Sequence, residues 1–185
     1  VDLPIPAHEG PEDIYVHRGA DLRLLNGNIT LGPDGAPWVF YVERTPDRVY
    51  QPWLAHLTEA GWQTVDLLPH MPESMQARGV SGVISATDSG AIWFVTSGRS
   101  LKASYEVVLL RSTDEGESFA CTTLWTGDRE ADDPAWMVNM QRGVCGWPMD
   151  APAILYLTGD ASGNQEHEAY CHANVVLPDW VPPID

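Results

Sequence analysis

Lysine is almost absent from this sequence. Lys102 stands alone beside nine arginines, and these ten basic residues face 26 acidic ones, for a formal charge of −16 over 185 residues. So acidic a chain repels nucleic acid and anionic membrane surfaces, which argues against both as partners. Long apolar runs are also missing, and none approaches the ~20 residues that span a membrane. The opening Val1-Asp2-Leu3-Pro4-Ile5-Pro6 lacks a basic segment followed by an apolar one, so no signal peptide is visible. Cysteine is scarce: Cys121, Cys145 and Cys171 are far apart and odd in number. No CxxC or Cys/His spacing suggests zinc, so no metal site is expected. The three are read as buried free thiols, with one disulfide and a spare thiol as the alternative in a secreted protein.

Nucleotide and hydrolase signatures are absent as well. No G-x-S-x-G, G-x-x-x-x-G-K or strand-linked G-x-G-x-x-G occurs, so no cofactor is expected. Uninterrupted helix-forming stretches are lacking too, because 16 glycines and 15 prolines are scattered throughout. What remains is short runs rich in Val, Ile, Trp, Tyr and Phe between turn signals, which read as β-strands.

These runs recur. Asp34-Gly35-Ala36-Pro37-Trp38-Val39-Phe40-Tyr41 matches Asp88-Ser89-Gly90-Ala91-Ile92-Trp93-Phe94-Val95, and Asp150-Ala151-Pro152-Ala153-Ile154-Leu155-Tyr156-Leu157 is a weaker third copy. The first two are 55 residues apart, measured from Gly35 to Gly90, and the third follows after about 60, a period that suits units of four strands. The first unit has strands near 28–32, 37–43, 51–57 and 62–68. The second has them near 82–87, 91–97, 105–111 and 119–125. The third has them near 136–140, 152–158 and 168–177, with no evident fourth. Asp13-Ile14-Tyr15-Val16-His17-Arg18 reads as one more strand, left over from a preceding unit.

Between strands three and four of the second unit lies Ser112-Thr113-Asp114-Glu115-Gly116-Glu117-Ser118-Phe119. Ser and Asp side chains bond nearby backbone N–H groups in tight turns, Gly takes positive φ, and an aromatic at the exit packs back between strands. With Ser112, Asp114, Gly116 and Phe119 at its marked positions, the segment resembles the Asp box, or BNR repeat, of sialidase-like β-propellers. There it is a structural hairpin away from the catalytic face.

The order of the "GPDGAPWVFYV" strand, "LAHLTEAGWQTVDL", the Asp box, "PAWMVNMQRG" and "APAILYLTGD" is similar to the C-terminal half of BNR-repeat propellers of the polysaccharide-lyase type. This likeness spans roughly residues 20–177 and implies an all-β fold, a β-propeller portion of about three four-stranded antiparallel blades. Because a propeller closes with ~4–8 blades, the remaining blades are expected from the same or another chain. Residues 1–12 are read as an N-terminal extension, 13–178 as the partial propeller with units at about 28–68, 82–126 and 136–177, and 179–185 as a tail.

The resemblance implies an extracellular or periplasmic protein whose partner is a carbohydrate, an anionic polysaccharide, acted on by a lyase or glycoside hydrolase. Such lyases use a His/Tyr base and acid, with Arg neutralising a uronate carboxylate. The early Arg-Ile-Pro element of sialidases is absent. His17 and Tyr41 are the catalytic candidates, and Arg18, Arg78, Trp136, Asn139 and Arg142 the substrate-binding ones. Arg78, Asn139 and Arg142 flank the proposed inner strands, and Trp136 offers a ring for stacking on a sugar. The plainer alternatives are a surface His with solvated arginines, core packing for Trp136 and a blade-to-blade hydrogen bond for Asn139. Trp38, Trp62, Trp93 and Trp125 sit at repeat positions expected to pack between blades. A non-catalytic BNR-repeat propeller, serving as a binding or scaffolding module, is the alternative function.

Overall fold

The computed structural model describes residues 23–44, 50–75, 80–99, 105–127, 135–141, 151–159 and 171–177. Among these the fold is all-β, with eleven strands in three antiparallel sheets. Sheet 1 contains β1 (Arg23–Leu31), β2 (Pro37–Arg44), β3 (Tyr50–Thr58) and β4 (Gly61–Asp66), side by side in that order. Sheet 2 repeats the plan with β5 (Val80–Ala86), β6 (Ile92–Arg99), β7 (Tyr105–Ser112) and β8 (Ala120–Thr126). Sheet 3 has β9 (Ala135–Met140), β10 (Ile154–Gly159) and β11 (Cys171–Val176). Among the described residues the only helical pieces are two 3-10 turns, Leu68–His70 and Glu73–Met75, between β4 and β5.

The internal repeat has a physical basis in its turns. Gly35 N–H donates to Gly32 O at 2.9 Å, and Gly32 N–H donates to Ala36 O at 2.9 Å. Gly90 N–H to Thr87 O and Thr87 N–H to Ala91 O, each 3.0 Å, reproduce that pattern 55 residues later. Both Gly35 (φ 80) and Gly90 (φ 87) hold the left-handed position that the turn requires. Equivalent turns start equivalent strands in the same orientation. Trp38 on β2 and Trp93 on β6 therefore both point onto the following sheet.

Sheet 2 lies between the other two and buries both of its faces. Ile92 and Phe94 of β6 join Trp38, Phe40, Val42 and Leu54 in the layer toward sheet 1. Trp93 and Val95 join Val138, Met140, Ile154 and Tyr156 in the layer toward sheet 3. A strand covered on both faces has no solvent side to mark with polar residues, which is why 91–95 reads as an unbroken apolar run. Phe40 and Phe94, both fully buried, meet across the first layer at 4.5 Å between ring centroids. Burial of side chains this size stabilises by ~1.5–3 kcal/mol each. The link between sheets 1 and 2 is itself part of the packing, since Leu67, Met71 and Met75 are buried.

The first strands of the sheets are neighbours, with β1 against β5 and β5 against β9. Asn28 of β1 accepts a hydrogen bond from Ile84 N–H of β5 at 2.9 Å, and Ser85 of β5 donates to the Gln141 carbonyl beyond β9 at 3.0 Å. These contacts satisfy polar groups of neighbouring first strands and tie the three sheets together. The arrangement is compatible with successive propeller blades in an array that does not close.

Several details differ from the sequence expectations. The first strand begins at Arg23 instead of near 28, because residues 23–25 pair with 42–44 of β2 across a bulge between Leu25 and Gly27. Trp38 and Trp93 are buried between sheets and Trp125 is partly buried against the second layer, whereas Trp62 is half-buried and belongs to neither layer. Cys121, expected to be buried, is exposed on edge strand β8. The proposed strand over 13–18 lies outside the described residues.

Candidate functional site

The best-defined constellation is the turn between β7 and β8, at Ser112–Phe119. Ser112 ends β7 fully buried, and its hydroxyl oxygen accepts Gly116 N–H at 2.8 Å while donating to Asp114 Oδ1 at 2.7 Å. Asp114 Oδ1 also accepts Ser118 N–H at 3.0 Å, and its Oδ2 accepts the Ser118 hydroxyl. Glu117 N–H closes the turn onto Asp114 O at 3.2 Å. The Ser118 hydroxyl, then Ser118 N–H and the Ser112 hydroxyl, hold the Asp114 carboxyl down at about 2. Its lone pairs are committed to the turn, so this carboxylate is a clamp and poorly suited to proton transfer.

The turn is seated on the neighbouring sheet. A Cβ on Gly116 would lie 3.3 Å from two ring carbons of Trp38, and that ring is stacked on His56 at 3.8 Å and 9°. Phe119 packs against the layer between sheets 1 and 2 and meets the His70 ring at 5.0 Å. The segment therefore fastens β7–β8 to sheet 1 through aromatic contacts. Sequence reasoning anticipated the turn chemistry but not His56 or His70, whose roles arise from contacts with other strands.

Tyr41 lies mid-way along β2, opposite Trp53 of β3. Glu43, two residues on and so on the same face of the strand, is buried and accepts the Trp53 indole N–H at 3.1 Å. Burial, and secondarily Glu43, push the Tyr41 phenol well above its ordinary range. A phenol raised in this way stays protonated at physiological pH and can donate a hydrogen bond, but it is a weaker proton donor than an ordinary tyrosine. Glu43 and Trp53 carried no sequence signal beyond alternation along a strand.

Asn139 lies near the end of β9, paired with Leu155. It is exposed, and its side-chain oxygen accepts Met140 N–H at 2.8 Å. With Met140, Gln141, Ala153, Leu155 and Val175 it lines an open depression of about 280 Å³ on sheet 3. Trp136 is on the same strand, paired with Leu157. Tyr41 and Asn139 are on the two outer sheets with sheet 2 between them, so the structure does not bring them together. His17, Arg18, Arg78 and Arg142 lie outside the described residues. Among the described residues, no group of three or more His, Cys, Asp or Glu side chains is placed to hold a metal ion. The described helices include none long and apolar enough to cross a membrane.

No protein-family model matches this sequence, and no curated protein matches it at a significant level.

Proposed function

We propose that the chain is part of a carbohydrate-active β-propeller that acts on an acidic polysaccharide, as a lyase or a glycoside hydrolase. The observation that carries this reading is the Ser112–Phe119 turn, closed by Ser112 and Asp114 and seated on Trp38 of the preceding sheet. Its sequence resembles the Asp-box pattern, and it lies between the last two strands of a four-stranded sheet. Further support comes from the inner strands β1, β5 and β9, which lie together as first strands of blades do around an axis. In such a propeller Arg18, Arg78 and Arg142 are the proposed partners of uronate carboxylates, because a guanidinium fork pairs with a carboxylate through two hydrogen bonds. Trp136 and Asn139 complete the binding set, with His17 and Tyr41 as the proposed catalytic pair.

A second reading is a non-catalytic binding or scaffolding module. The separation of Tyr41 in sheet 1 from Asn139 in sheet 3 favours it. Incubation with uronate-containing and neutral polysaccharides, followed by product analysis, separates these cases. Unsaturated chain ends identify a lyase, and new reducing ends without unsaturation a hydrolase. Retention on an acidic polymer without cleavage identifies the module. Neither cleavage nor retention of any acidic polymer refutes the carbohydrate reading altogether.

A further inference from the structure

We infer that Arg111, on the face of β7 turned toward sheet 3, binds a carboxylate, and that an acidic ligand reaches it across Ala120 at the β8 edge of sheet 2. The site stands on contacts within sheet 2. The identity of the ligand as an acidic sugar rests on the function proposed above.

Two adjacent donors lack an acceptor. Trp93 of β6 and Arg111 of β7 are direct cross-strand partners, and the guanidinium carbon lies 5.0 Å from the centre of the indole ring. Trp93 is 3% exposed, and its indole N–H is buried without a hydrogen-bond partner. The Arg111 Nε–H is buried and unpartnered as well, and among the described residues no carboxylate pairs with it. Both groups donate and neither accepts, so they cannot satisfy each other. Buried polar groups are almost always bonded, and this pair calls for an acceptor from outside.

Charge and shape select the acceptor. A guanidinium fork matches a carboxylate through two parallel hydrogen bonds, and its single positive charge balances one negative charge. A phosphate dianion would bring a second negative charge to a chain already at −16. A water molecule accepts hydrogen bonds but leaves the guanidinium unbalanced. Because the net charge repels anions at long range, whatever binds here is held by short-range geometry. Contact with the Trp93 ring orients the guanidinium in advance, which lowers the entropy lost on binding.

The approach is set by the row of side chains across this face. From the innermost strand to the outermost it runs Ser85, Trp93, Arg111, Ala120. Ser85 and Trp93 are buried, and the Ser85 hydroxyl is committed to the Gln141 carbonyl at 3.0 Å. Arg111 and Ala120 are half-buried, so the row opens toward its outer end, where the last side chain is a methyl group. Thr122, opposite Leu109 and two residues along β8, lies half-buried on the same face and offers a hydroxyl beside that path. A sugar acid presents a carboxylate and hydroxyls together, which suits this pairing. One guanidinium makes a weaker site than the three arginines of the proposed binding set.

The test is NMR of the indole N–H groups in the purified chain, with the Trp93 signal assigned by Trp93→Phe, during titration with glucuronate, acetate, glucose and sodium chloride. Glucuronate and acetate should shift the Trp93 signal, whereas glucose and chloride should leave it in place. Arg111→Gln should weaken glucuronate binding at least tenfold. Ala120→Phe, which covers the approach and leaves Arg111 intact, should do the same, and the other indole signals report that each variant is folded. No shift with either carboxylate, an equal shift with chloride or glucose, or unchanged affinity in either folded variant overturns the inference. A shift with acetate but not with glucuronate keeps the carboxylate site and removes the sugar as its ligand. Retention on an acidic polysaccharide by a chain whose Trp93 signal does not move refutes this site and leaves the proposed function standing. A glucuronate-dependent shift without retention on any polymer does the reverse.

Discussion

Replacing Gly116 by alanine probes the contact that joins the Ser112–Phe119 turn to the neighbouring sheet. Gly116 has φ 87, a conformation that an L-residue adopts at a cost of roughly 1–2 kcal/mol. The added methyl would also lie 3.3 Å from the Trp38 ring. That ring has little freedom to yield, because it is 3% exposed and stacked on His56 at 3.8 Å. Overpacking of this kind adds ~1–3 kcal/mol. The sum is ~2–5 kcal/mol, a large share of the ~5–15 kcal/mol that stabilises a typical domain. Gly61→Ala is the matched control. Gly61 has φ 106 with nothing within 4 Å of an added Cβ, so it suffers backbone strain alone. Urea titration followed by tryptophan fluorescence should place Gly116→Ala at least ~1 kcal/mol below Gly61→Ala. Equal losses would show that the turn does not press on Trp38, and the inter-sheet anchor would have to be abandoned.

Asn28→Ala removes the acceptor for Ile84 N–H and should cost ~1–3 kcal/mol by leaving a donor on an inner strand without its partner; an unchanged melting temperature would contradict the proposed inter-strand contact. Acidification should destabilise in two stages. His56 is held below its ordinary range mainly by burial, so it keeps its neutral form to lower pH when folded, and its contribution is complete above ~6.5 and is lost as pH falls below that value. Asp114 is depressed to about 2, so its contribution is complete above ~4 and disappears between there and 2. An Asp114→Asn variant should lose only the second stage in pH-dependent melting, and a variant retaining that stage refutes the assignment. Cys121 should react slowly with thiol reagents at neutral pH despite its exposure, because partial burial of the thiol and then Glu106 raise it to about 11; labelling as fast as a free cysteine peptide would contradict this.

The sequence made the architecture legible where local chemistry and global packing coincide. Gly35 and Gly90 mark equivalent turns because only a residue tolerant of positive φ closes them without strain, and Trp38 and Trp93 follow at matching offsets. The unbroken apolar run of β6 signalled a strand covered on both faces. The Ser112–Phe119 turn was readable for the same reason, since its bonds all lie within seven residues. Long-range pairings left no such mark. Asn28 looks like any polar strand residue until Ile84, 56 positions away, is placed beside it. Tyr41 was chosen for its chemistry, but the burial by neighbouring strands, and then the Glu43 charge, that raise its phenol could not be read along the chain. Asn139 shares sheet 3 with Trp136 and is separated from Tyr41, which spacing along the chain could not reveal. Cys121 departed from the general burial preference of cysteine because β8 is an edge strand.

Calorimetric titration of the purified chain with a uronate oligosaccharide, and with a neutral one of equal length, tests the central claim most directly. The chain should bind the acidic sugar and not the neutral one. The affinity should fall as salt is added and should drop at least tenfold in Arg142→Ala, because a charge-assisted, two-bond contact is lost. Equal affinity for acidic and neutral sugars, or no loss of uronate affinity in Arg142→Ala, would contradict the account.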